Sequence, residues 1–280
     1  MLRLRKLLSH FLFPLSILST ATTTAELPPE MDELLQVCEV HHNGDLSSIA
    51  EATKNSWLRK PGKERWQIDT IDYGTDKNQR IRELVYQLGF IKEVPPTAGH
   101  YKYCLIGGAV ASAFQKRLLY VRSLWEKGLR YDQLIILTGE RALDAQVDKS
   151  EIAVGCKTEA EALQFVYENS LLPTDMRAIP YQLVVAPNKL TPSGVVRPSR
   201  GDTVLQWLST HPSPGDCMFV THQPYVQLDQ GAIANVLGPD YPFVTVGPGT
   251  DAAKNSIALL LDTVGRCLLQ QFENEKPIDD

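Results

Sequence analysis

The stretch Tyr103-Cys104-Leu105-Ile106-Gly107-Gly108-Ala109 decides the fold. A short unbroken apolar run suits a strand covered on both faces, and two glycines after it allow a tight turn into a helix. The next segment, residues 110–127, puts Phe114, Leu118, Val121 and Trp125 on one helical stripe and stops at Gly128. The same unit recurs downstream. Apolar runs fall at residues 134–138, 182–186, 217–221 and 243–246, and helical patterns at 158–169, 202–209, 225–237 and 252–272. Strand–helix alternation of this kind predicts a Rossmann-like α/β fold over residues 97–280: a doubly wound, mostly parallel five-stranded sheet.

Upstream, residues 26–96 read as a helical N-terminal appendage packed on that domain. Residues 30–41 suit a short helix, and Ser48-Ile49-Ala50-Glu51 has capping-box spacing. Ile81, Leu84, Val85 and Leu88 form a helical stripe closed by Gly89, and Pro95-Pro96 marks a linker. Residues 1–25 have the three-part order of a signal peptide: Arg3, Arg5 and Lys6, then an apolar core, then small polar residues, with cleavage expected after Ala25. The apolar core is too short to span a hydrocarbon layer of ~30 Å. The expected product is therefore exported, periplasmic or secreted, with no stable membrane anchor after cleavage.

The 280-residue chain has a net charge of −5. Without residues 1–25 it holds 25 basic and 33 acidic side chains, a net of −8, which argues against nucleic-acid backbone binding. Five cysteines (Cys38, Cys104, Cys156, Cys217, Cys267) show no CxxC or Cys/His ligand spacing, so no metal site is expected. Cys104 and Cys217 fall inside strands and read as buried thiols, while a bridge among the others stays open. P-loop, G-x-S-x-G and H-E-x-x-H patterns are missing. Gly247-Pro248-Gly249-Thr250-Asp251-Ala252 has the glycines of a dinucleotide fingerprint, but no strand with an acidic residue follows, and it reads as a turn. No cofactor is assigned.

In an open parallel sheet, ligands bind outside the carboxyl ends of the strands, where helix N-termini offer free N–H groups and the positive end of the dipole. The candidate ligand contacts are thus Gly107, Gly108, Thr138, Gly139, Asp202, Thr203 and Thr221, with Glu159 or His222 as the acid/base group. Glu140 and Arg141 suit either substrate binding or a solvent pair. Arg197 and Arg200 precede a helix and suit a phosphate or carboxylate, or a solvated loop. Glu161 is accounted for by helix capping.

These motifs, in this order, resemble the SanA/YdcF-like family, an envelope-associated domain of unknown function. A strand ends in Gly107-Gly108 and another in Thr138-Gly139; then come Thr158-Glu159-Ala160-Glu161-Ala162, Asp202-Thr203 and Val220-Thr221. The resemblance implies a Rossmann-like domain that binds a nucleotide-like or polyprenyl-phosphate-like molecule in envelope metabolism. The chain departs from the family where Thr203-Val204-Leu205-Gln206 replaces Thr-x-Glu-Asn, where Tyr225 takes the place of a His, and where Gln227–Asp229 contains no Arg. Two readings stand side by side: an exported protein binding a small anionic ligand and acting on it, or a secreted interaction or virulence-type protein with a non-catalytic domain and an unidentified protein partner.

Overall fold

A strand with apolar side chains on both faces requires helices above and below it. The computed structural model describes residues 27–63, 65–144, 147–148, 154–192 and 194–275, so the expected leader lies outside the described residues. In chain order the elements are α1 (Pro29–Val37), α2 (Leu46–Trp57), a 3-10 turn (Arg65–Gln67), α3 (Thr75–Gln87), β1 (His100–Gly107), α4 (Ala111–Glu126), β2 (Arg130–Gly139), α5 (Glu159–Asn169), α6 (Thr174–Arg177), β3 (Tyr181–Ala186), β4 (Lys189–Thr191), β5 (Gly194–Val196), α7 (Arg200–Leu208), β6 (Cys217–Val220), α8 (Val226–Ala234), β7 (Phe243–Val246) and α9 (Ile257–Glu275).

Five strands form one sheet in the order β3-β2-β1-β6-β7, and every pairing is parallel. The chain winds outward from β1 through β2 to β3, then returns to the other side of β1 for β6 and β7. This is the doubly wound Rossmann-like arrangement. Strand alternation assigns the two faces. Cys104, Ile106, Met218 and Val220 pack with Phe114 and Leu118 of α4 and Leu163 and Val166 of α5. Tyr103, Leu105 and Phe219 pack with Val204 and Trp207 of α7 and Ile233 of α8. Each fully buried Leu, Ile or Phe contributes about 1.5–3 kcal/mol.

A third cluster joins α1, α2 and α3 to α9, through Leu34, Leu35, Ile49, Trp57, Ile81 and Leu84 against Leu260, Leu261 and Val264. The other side of α9 touches α8. The segment 26–96 is thus tied to the sheet domain by the last helix. The Arg59 backbone N–H and Nη1 both donate to Asp262 of α9, at 3.0 and 2.8 Å.

Several local expectations shift. Asp45, not Ser48, caps α2: its carboxylate accepts the Ser48 N–H at 2.7 Å, so the helix starts two residues before Ser48. The helix expected from Asp202 starts at Arg200, because Ser199 and Asp202 form a reciprocal capping box there. Residues 252–254 form a separate 3-10 turn ahead of α9. The two-stranded hairpin β4–β5 is an addition, as its few exposed residues leave no buried run to read. All five cysteines are free thiols. No helix among the described residues is long and apolar enough to cross a membrane.

Candidate functional site

β1 and β6 are neighbours, yet the chain leaves them toward opposite faces, to α4 and α8. Their carboxyl ends therefore bound the crevice of the fold. Two guanidinium groups converge there, one from each face of the sheet. Arg117 stands on α4 within the Phe114–Leu118–Val121 stripe, so the helix pitch directs it inward, and it is 1% exposed. Its Nη1 donates to the Gly107 and Gly108 carbonyls at 2.5 and 2.9 Å, and its Nε donates to His222 Nδ1 at 3.0 Å. Among the described residues no carboxylate hydrogen-bonds to it. Arg200, in the first turn of α7, donates from Nη2 to the Gly108 carbonyl at 3.2 Å and pairs with Asp229 of α8 at a long 3.4 Å.

The electrostatics follow from this excess of buried cation. Burial, then the nearby Arg200 charge, depresses the Arg117 pKa to about 9. Burial, then Arg117, Arg65, Lys116 and Arg200, pushes the His222 imidazole down to about 2. Since Nδ1 accepts from Arg117, the neutral ring carries its proton on Nε2. Here His222 is a fixed hydrogen-bond acceptor for Arg117, an environment opposed to the acid/base role that its place at a strand end suggests. Burial disfavours the Asp229 charge too, but Arg200 and Arg117 outweigh it and hold that carboxyl below the usual range. Asp229 Oδ2 and Thr221 Oγ1 are buried without a hydrogen-bond partner. Tyr225 meets His222 edge-on at 5.2 Å, and the Arg65 guanidinium lies 4.1 Å over the Tyr225 ring.

A second network adjoins the first at Gly108. Glu159 Oε1 accepts from Thr138 Oγ1 at 2.9 Å, and Oε2 accepts from Arg141 Nε at 2.7 Å. Arg141 also forms a two-pronged pair with Asp148 at 2.5 and 2.7 Å. Asp148 and Arg141 are buried and Glu159 is nearly so. Both carboxylates share Arg141, and Arg197 adds a second positive charge near Asp148, so Glu159 and Thr138 hold the loop after β2 in place. Arg141 is no solvent pair for Glu140, which instead accepts from the Asn188 N–H.

The two glycines after β1 make room for the protein's own groups. A Cβ on Gly107 would stand 2.8 Å from Arg200 Nη1, and one on Gly108 would stand 2.6 Å from the Leu137 carbonyl and 2.7 Å from Glu159 Oε1. Gly139 lies against Pro198, which leaves no cradle for a ligand. Asp202 is occupied by Ser199 and Lys189, and Thr203 donates to the Arg200 carbonyl. Both support α7 instead of facing a ligand. The structure thus brings Gly107, Gly108, Thr221 and His222 to the crevice, with Thr138 and Glu159 in the adjoining network.

Arg117, Asp229 and Arg65 were missed from sequence. A cation on the stripe of α4 and an acid on that of α8, between Val226 and Ile233, are the signals for the first two. Arg65 reaches the site from a distant segment and has no local signal. Among the described residues no group of three or more His, Cys, Asp or Glu is placed to hold a metal ion. No protein-family model, curated protein or solved structure matches the chain.

Proposed function

We propose that the protein binds a small phosphate-bearing anion in the crevice between the ends of β1 and β6. One observation carries this reading: among the described residues, the buried Arg117 cation is bonded to carbonyls and a neutral imidazole and to no carboxylate. Leaving such a charge without an anion costs several kcal/mol, and a bound phosphate offsets that cost. Arg200 adds a second donor group, which suits the bidentate geometry of phosphate oxygens. With His222 held neutral and Glu159 paired to Arg141, the geometry favours binding over proton transfer. The ordered motifs from Gly107 to Thr221 support a SanA/YdcF-like relationship, and the leader pattern supports export to the periplasm or beyond.

Thermal melting with nucleotides, sugar nucleotides and lipid phosphates tests the reading. A true ligand at 100 times its Kd raises stability by about 2.7 kcal/mol. Arg117→Met is expected to melt cooperatively and to lose that rise. A wild-type protein indifferent to every ligand of the panel overturns the proposal.

A specific feature favours the second reading, a non-catalytic interaction protein. The β4–β5 hairpin exposes Leu190, Val195 and Val196 at the same edge of the sheet. Leu190 and Val195 face each other across the ladder, a small apolar patch suited to contact. Replacing both by Ser separates the readings: lost partner capture with intact anion binding supports the second.

A further inference from the structure

The 3-10 turn between α2 and α3 brings a third guanidinium to the crevice from the N-terminal segment. Its loop is anchored below the turn: Arg59 binds Asp262, Arg59 Nε donates to the Lys63 carbonyl at 3.0 Å, and Lys63 pairs with Asp69 at 2.7 Å. Among the described residues, the contact that holds the Arg65 guanidinium is with the Tyr225 ring, at 4.1 Å. A contact with a ring does not use up the five N–H donors of a guanidinium. Among the described residues no hydrogen bond or carboxylate takes up those donors. Tyr225 in turn contacts His222, which accepts from Arg117. Arg65, Arg117 and Arg200 therefore gather around the Gly108 turn and the Tyr225–His222 ring pair, and among the described residues Asp229 is the carboxylate paired with this group.

We infer that Arg65 is a further anion-binding residue, and that it matches the crevice to a diphosphate in preference to a single phosphate. The inference rests on the crevice being an anion site. Three guanidiniums against one carboxylate leave two positive charges to balance. Arg117 and Arg200 share the Gly108 carbonyl, whereas Arg65 joins them only through the Tyr225–His222 ring pair. One phosphoryl group on the Arg117–Arg200 side leaves the Arg65 donors unused, and a second, linked phosphoryl group engages them. The N-terminal segment is then part of the binding site, and Tyr225 is the positioning residue for Arg65.

Calorimetric titration of the full chain with inorganic pyrophosphate and orthophosphate, without divalent cations, tests this. Wild type is expected to prefer pyrophosphate by about tenfold or more, the scale of one added charge-assisted contact. Arg65→Ala should erase that preference, weakening pyrophosphate binding about tenfold more than orthophosphate binding, and Arg65→Lys should restore part of it. Tyr225→Phe keeps the ring and should behave as wild type, while Tyr225→Leu should follow Arg65→Ala. An Arg65→Ala protein that retains the preference, or a wild type that shows none, overturns the role of Arg65 and leaves the anion site standing. A wild type that binds neither probe overturns both.

Discussion

Arg117 and Arg141 are two buried arginines at the same edge of one sheet, separated by little more than the Gly108 turn, and they have opposite surroundings. Arg141 is bracketed by Asp148 and Glu159, and its pKa is raised because those bonds outweigh its burial. Arg117 meets only neutral acceptors, and its pKa is depressed. A matched network of the first kind holds structure together. An unmatched cation of the second kind is a cost that a ligand can relieve. The difference separates scaffold from site at residues whose types alone are the same.

The contrast can be broken most strongly at Arg141. Arg141→Met leaves two nearly buried carboxylates without their partner and is expected to lose about 3–5 kcal/mol in urea unfolding. The same change at Arg117 removes a charge with no hydrogen-bonded carboxylate among the described residues, so a comparable loss there would erase the distinction. Gly108→Ala strikes both networks at their junction. A Cβ 2.6 Å from a backbone carbonyl forces a backbone shift, with an expected cost of about 1–3 kcal/mol and weakened anion binding, read by melting and titration.

The last comparison is in the acid limb. His222 has a folded pKa near 2 against an ordinary 6.5, so between these values the unfolded chain holds the extra proton. Its contribution is complete above pH 6.5 and is lost as pH falls, at up to about 1.4 kcal/mol per pH unit. Asn at this position keeps an acceptor for Arg117 and does not titrate. His222→Asn should therefore flatten the loss of stability between pH 6.5 and 4.5, and an unchanged slope would show that the ring does not carry it.

The sheet was legible because strands such as Leu134–Thr138 are covered on both faces and leave uninterrupted apolar runs. The positions of the strand ends follow from the same runs. Partners were not legible. Asp202 looked like a ligand contact until Ser199, three residues earlier, proved to be its capping partner. The Glu140-Arg141 dipeptide suggested a surface pair, while the true partners of Arg141 lie 7 and 18 residues away. Arg117 had a local sign, a charge on an apolar stripe, whereas Arg65 depends on a contact with Tyr225 across most of the chain.

The clasp between Arg59 and Asp262 joins positions 203 residues apart. The cluster formed by α1, α2 and α3 has its main counterpart in α9, made about 170 residues after α3. At roughly 5–20 residues per second, the first helices wait roughly 10–40 s for it. During synthesis their apolar stripes stay open to solvent and to chaperones until α9 closes over them.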